Sequence, residues 1–388
     1  MFSSRFPPLE PTVLGRALAR ARASGRRLLD LTESNPTAVG LSCAPGLLDA
    51  LADAGACRYE PAARGLAVAR ETIAAQYASA GDAIRTDRVV LTAGTSDAYS
   101  LLFKLLCDPG DEVLIPTPSY PLFDLLTRFD AVVPRPYRLD RDRAWRLDRD
   151  AVERALGPAT RAILVVSPNN PTGSVVTREE RDWLAALCAA RGLAIIADEV
   201  FVDYPLAPGP QAVSFAGESR ALTFTLGGLS KSVGLPQVKL AWMLVSGPDA
   251  LVTGALERLD LLADTYLSVS TAAQLAVPAL LEGGGDLRER IRERLRRNLT
   301  ALDRAVRACP AASMAAPEGG WSAVIRVPQV EDDDALALGL LDDADVVVHP
   351  GYFYDFEAGT FVVLSLLCDP ATFDEGVSRL LAAVAARS

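Results

Sequence analysis

Lysine is nearly missing from this chain. Of its 388 residues 39 are Lys or Arg, yet only Lys104, Lys231 and Lys239 are lysine and the other 36 are arginine. Histidine is scarcer still, with His349 alone. One histidine nearly excludes a His-based triad and a zinc centre, so no metal is expected. The six cysteines, at 43, 57, 107, 188, 309 and 368, lack paired short spacing and read as free thiols in a reducing compartment. No apolar run approaches a membrane span and the N-terminus lacks a continuous apolar core, which reads as a soluble, cytoplasmic protein. Positive charge is also short: a net charge of -10 argues against nucleic acid or an anionic membrane as partner. GxGxxG, GxSxG and the Gly-Lys-Ser/Thr phosphate loop do not occur, so dinucleotide, hydrolase and nucleotide motifs fail.

What is present is an alternation. Half of the residues are hydrophobic, a globular composition. Short apolar runs, "RVVLT", "DEVLIP", "AILVV", "LAIIAD" and "ALTFTL", are separated by stretches that include helical periodicity. This predicts βαβ units around a buried, mostly parallel sheet flanked by helices. Past residue 280 the pattern changes to "GGWSAVIRVP", "EDDDALALGLL", "ADVVVHPG" and "FVVLSLL", a smaller α+β unit. The expected division is an N-terminal segment, 1–40, packing on the small domain, a large domain, 41–280, and a small C-terminal domain, 281–388. The stretch "DLRERIRERLRRNLTALDRAVRACP" places Ile291, Leu295, Leu299 and Leu302 at helical spacing, so its arginines are read as a solvated helix face.

Each apolar run ends in a polar or Gly/Pro-rich turn, and in open α/β sheets ligands sit beyond the carboxyl ends of the strands. The candidate chemistry therefore lies in "AGTSD", "PTPSYP", "SPNNPTG", "DEVFVDY" and "GGLSKS". Lys231 is either a surface residue or an amine that condenses with a carbonyl, a task arginine cannot perform. Thr95 and Ser96 are N-caps or part of an anion site. Asp198 is a helix cap or the partner of a cationic ring nitrogen, and Asn170 a turn former or a donor.

Seven ordered motifs, "LTESNPT", "YEPAARGLAVARETIA", "AGTSDA", "PTPSYP", "SPNNPTG", "DEVFVDY" and "LSKSVGLPQVKLAW", together resemble the class I/II aminotransferases of fold type I, which use pyridoxal 5'-phosphate. The resemblance implies that Lys231 forms a Schiff base with the cofactor and moves protons. It implies that Asp198 pairs with the ring nitrogen, Asn170 donates to the ring oxygen and Tyr120 stacks on the ring. Gly94, Thr95 and Ser96 would cradle the phosphate. Tyr59 would reach the phosphate of a neighbouring subunit in a homodimer, with Ser268 or Ser270 nearby. Asn35 and Tyr352 are candidate substrate contacts.

Four positions depart from the family pattern. Lys239 stands where an arginine usually meets the phosphate, Gly228 where a serine is common and Phe201 where a tyrosine is common. Val363, in "GTFVVLSLLCDP", stands where an arginine normally clamps the substrate α-carboxylate. The aromatic run "HPGYFYDF" offers walls for an apolar or amine-type pocket or simply core, and His349 reads as structural. The expected activity is a transaminase with an atypical amine or amino acid substrate. A lyase, cyclase or decarboxylase on the same scaffold is the alternative, and a non-catalytic cofactor-binding protein the remote one.

Overall fold

The computed structural model describes residues 2–79, 84–206, 212–330 and 332–387. In chain order the strands are β1 (Leu29–Asp30), β2 (Val89–Thr92), β3 (Glu112–Thr117), β4 (Val133–Asp140), β5 (Arg146–Leu147), β6 (Thr160–Val166) and β7 (Ala194–Asp198). They continue as β8 (Thr223–Gly228), β9 (Ala241–Ser246), β10 (Ser313–Met314), β11 (Ser322–Val327), β12 (Val346–Val347), β13 (His349–Pro350) and β14 (Thr360–Ser365). The helices begin with α1 (Val13–Ala23), α2 (Ala67–Ser79), α3 (Thr95–Leu106), α4 (Leu122–Phe129), α5 (Arg149–Ala155) and α6 (Arg178–Arg191). After them come α7 (Leu229–Ser232), α8 (Asp249–Tyr266), α9 (Thr271–Gly283), α10 (Gly285–Arg307), α11 (Asp333–Ala344) and α12 (Pro370–Arg387).

One sheet runs β2-β9-β8-β7-β6-β3-β4-β5 and a smaller one β10-β11-β14-β13. β3, β4, β6, β7 and β8 are mutually parallel, with β9 antiparallel to both its neighbours. Every residue of β7 and β8 is buried, as expected of strands covered on both faces. The register aligns Val166 with Asp198 and Asp198 with Leu226, so β6 and β7 end at one level and β8 two residues beyond it, with their loops leaving the same edge of the sheet.

The five apolar runs read from the sequence form β2, β3, β6, β7 and β8; β4 is not among them, nor is β9, although its "AWMLVS" is itself apolar. β4 contains Pro134 and Pro136 and has exposed residues, so it lacks an apolar run. Its prolines are tolerated because its far neighbour is only the two-residue β5. β9 returns antiparallel with only the short α7 and a turn before it, outside any strand–helix–strand rhythm.

The small sheet is antiparallel, and β1 pairs in parallel with β12. Ala17 and Ala21 of α1 pack with Leu341 and Val347, which holds the N-terminal segment against α11 and β12. The largest apolar cluster joins Leu91 and Leu229 beside the large sheet to Ala323 and Leu364 of the small one.

Helix α10 corrects the expectation of a solvated arginine face. Ile291, Leu295 and Leu302 are buried as the spacing requires, with Leu299 partly so. Arg294, however, donates to the carbonyls of Val39, Leu367 and Cys368, and Arg292 to that of Asp203. These guanidiniums satisfy loop carbonyls that have no strand to pair with. Asn298, fully buried on the same helix, donates its amide to Leu366 O (2.8 Å) and Cys368 O (2.9 Å). Replacing Asn298 with Ala strands the Leu366 carbonyl, leaves that of Cys368 to Arg294 alone and should cost about 1–3 kcal/mol. A urea unfolding series reads this as a lower midpoint, and an unchanged midpoint would mean that the carbonyls find other donors.

Candidate active site

The loops leaving the carboxyl ends of the parallel strands meet the small sheet around a cavity of about 420 Å³. Asp198 stands at the last position of β7, and Phe201 follows in the turn. Lys231 comes from α7, just beyond β8, and Asn170 from the turn after β6. Thr95 and Ser96 open α3, Tyr120 precedes α4, and Val363 reaches the cavity from β14. A depression of about 510 Å³ between α10 and α12 is larger, but its lining is mostly apolar and gathers no reactive set.

Lys231 is the reactive amine of the cavity. Its Nζ lies 4.6 Å from the ring centre of Trp321 and 5.5 Å from that of Phe201. Burial between these rings pushes its pKa down to about 8, while the charge of Asp198 pulls the other way. A substantial fraction is then neutral near physiological pH, and only the neutral amine attacks a carbonyl. Tyr204, fully buried, donates its hydroxyl to the Lys231 carbonyl (2.5 Å) and fixes the short turn that carries the amine.

Asp198 is buried without an arginine. Burial raises its pKa, opposed by the hydroxyl of Tyr99 (2.6 Å), the Val200 N–H (3.1 Å) and the charge of Lys231. Tyr99 lies on α3, one turn beyond Thr95, and its own pKa is raised well above normal by burial, so it serves as a donor.

The start of α3 is open to an anion. Gly94 is its N-cap without a side-chain cap, and a Cβ there would meet nothing within 4 Å. First-turn N–H groups left without a cap, beside two hydroxyls, suit a phosphate. Asp97, in the same turn, is occupied by the Ala93 N–H and by the hydroxyl of Ser268.

Gly228 has a packing reason. It pairs with Ala241 across β8 and β9, and a Cβ would come within 3.0 Å of the Ala241 Cβ. A side chain at 228 would therefore press on β9, and the hydroxyl lining the cavity here is Ser230.

Several sequence candidates lie elsewhere. Asn35 is exposed, and its Oδ1 accepts from the Thr37 N–H and hydroxyl to close a turn; Thr32 and Ser34 line the cavity instead. Tyr352 is not in the lining, because its backbone turns outward, its N–H held by Asp333; Phe353 and Tyr354 are there in its place. Lys239 is exposed in a left-handed backbone conformation before β9, and Tyr59 and Ser270 also lie outside this cavity. His349, read as structural, lines the cavity. Tyr99 and Trp321 were missed because a tyrosine inside a helix and a tryptophan after two glycines carry no spacing signal. The indole N–H of Trp321 is buried without a partner.

The description "Aminotransferase class I and II" matches residues 28–380. The chain belongs to the class I and II aminotransferases. It is 28% identical over 352 residues to an alanine aminotransferase of Mycobacterium tuberculosis, covering 88% of this chain and 81% of that one. It is 30% identical over 274 residues to the glutamate-pyruvate aminotransferase AlaA of Haemophilus influenzae, 70% of this chain and 67% of that one. Its fold is that of an alanine aminotransferase from Pyrococcus furiosus, with a TM-score of 0.89, 24% identity and 99% of each chain covered. A tyrosine aminotransferase from Leishmania infantum superposes with a TM-score of 0.84 at 21% identity, over 98% of each chain.

Enzymes of this family use pyridoxal 5'-phosphate, and this aminotransferase does so too. The cavity fits that molecule's three functional groups: an uncapped helix start for phosphate, a buried carboxyl for the ring nitrogen and a weakly basic amine for the aldehyde. The depressed pKa of Lys231 is testable in cofactor-free protein. Adduct formation with a small aldehyde, trapped by borohydride and read by mass spectrometry, should rise with pH around a midpoint of about 8 at Lys231. Because Asp198 raises the pKa of Lys231, Asp198→Asn should move its midpoint lower still; an upward move would contradict the geometry.

Proposed function

We propose that this aminotransferase takes an amino donor without a free α-carboxylate. The observation that carries this reading is Val363. It is buried, it lines the cavity, and no arginine stands among the described residues that line it. Lys231 is the one lysine there. A carboxylate buried against Val363, Val200 and Phe353 would pay desolvation without a guanidinium to offset it.

The cofactor, when bound, supplies an electron sink that makes the hydrogen on the amine-bearing carbon acidic. In this reading Lys231 holds the cofactor covalently at Nζ and, once free, carries the proton off that carbon and delivers it again. Asp198, ionised and fixed by Tyr99, holds a proton on the ring nitrogen. Asn170 orients the ring through its amide, and Tyr120 covers one face. Thr95, Ser96 and the N–H groups at Gly94 and the start of α3 hold the phosphate, with Ser230 beside them. Phe201 and Trp321 exclude water from Nζ and keep it weakly basic. Tyr59 and Lys239, exposed in one chain, meet the phosphate of a homodimer's shared sites.

Two measurements test this. Lys231→Ala should eliminate the borohydride-trapped cofactor adduct, and its survival would remove Lys231 from the central role. A visible-spectrum titration with ordinary amino acids and with matched amines should convert the bound cofactor to its aminated form only with the amines. Conversion by ordinary amino acids would sink the donor reading, and ammonia release without amination would point to lyase chemistry.

A further inference from the structure

The one histidine of the chain lies beside the position that lacks arginine. β13 and β14 are antiparallel with His349 directly opposite Val363, and directly opposite residues of such a pair project to the same face. Both line the cavity. The imidazole is stacked on Phe353, with ring centres 5.5 Å apart and planes 6° from parallel. Its Nδ1 lies 3.0 Å from the hydroxyl of Tyr354, which is buried.

The tautomer follows from the partners. The Tyr354 hydroxyl has no other hydrogen bond among the described residues, and donation to Nδ1 satisfies its proton. With Nδ1 accepting, the neutral ring carries its hydrogen on Nε2. Nε2 has no partner among the described residues and is the remaining polar atom of a ring that lines the cavity. Burial lowers the pKa of His349, and Asp30 is the carboxylate whose charge acts on it. A neutral N–H donor facing an apolar wall, with a carboxylate in the background, matches an uncharged oxygen rather than an anion.

We propose that His349, held by Tyr354, is the specificity-determining residue of the substrate pocket and donates Nε2–H to an uncharged oxygen next to the amine-bearing carbon of the donor. The substrate class is an amino alcohol or an amino acid amide. This rests on the reading that the donor lacks a free carboxylate and narrows it to oxygen-bearing amines.

The test uses holoenzyme labelled with 15N-histidine, whose single imidazole gives an unambiguous signal, and four ligands with one side chain: alkylamine, amino alcohol, amino acid amide and amino acid. The amino alcohol and the amide should shift the neutral imidazole resonances while the alkylamine leaves them in place. Their KM should be about tenfold below that of the alkylamine, the value of one hydrogen bond. His349→Leu should abolish that tenfold preference, and His349→Gln, which keeps an N–H donor, should recover part of it. Tyr354→Phe should lower it by releasing the tautomer. If the amino acid is preferred and converts the signal to imidazolium, the ligand is a carboxylate and the inference is overturned. Turnover of alkylamine and amino alcohol alike with an unmoved signal removes this inference but leaves the donor reading standing. No turnover of any amine removes the donor reading, and the imidazole signal then decides the histidine's role independently.

Discussion

The site is organised around one buried negative charge that lacks an arginine. Asp198 ends a strand whose every residue is buried, and desolvation alone would drive its carboxyl to the neutral form. Three features oppose that: the Tyr99 hydroxyl, the Val200 N–H and the amine of Lys231. Each comes from a different element, so the carboxyl has all three partners only when α3, the turn after β7 and the turn after β8 are in place. The same desolvation weakens the basicity of Lys231, so one apolar wall, Phe201 and Trp321, sets the character of the amine while its charge coupling to Asp198 opposes it.

The parts of the site legible in the sequence are those where local chain geometry and chemistry coincide. Lys231 stood out against an arginine-rich background, and Asp198, Asn170, Thr95 and Tyr120 sit in turns that follow buried strands, where the parallel register gathers them. The legible part of the fold is likewise its strand–helix alternation. β4 escaped because its prolines break the apolar pattern, and β9 because it returns without a crossover helix.

What stayed hidden depends on pairings between distant residues. Tyr99 meets Asp198 across 99 positions, and His349 acquires its place only through the register of β13 on β14. Asn35 and Tyr352 show the opposite error: each neighbours true cavity residues in the chain, but a side-chain turn in one case and a backbone contact with Asp333 in the other direct it away. The arginines of α10 were misread for a related reason. Helical periodicity identifies the apolar stripe, yet it says nothing of loop carbonyls brought up from the rest of the chain.

The pairing of β1 with β12 carries a consequence for how the molecule is made. Leu31 donates its N–H to Val347 O and accepts from the Ser365 N–H, while Cys368 lies against the Asp30 carbonyl, 338 positions away in sequence. Thr32 and Ser34, from near the start of this sequence, line the cavity together with Val363 and Ser365 of β14. During synthesis, then, the lysine, the buried aspartate and the helix start are all translated while this wall is still absent. Enclosure of the reactive amine is thereby tied to synthesis of β14, and a chain stalled before residue 360 would lack that wall of the cavity.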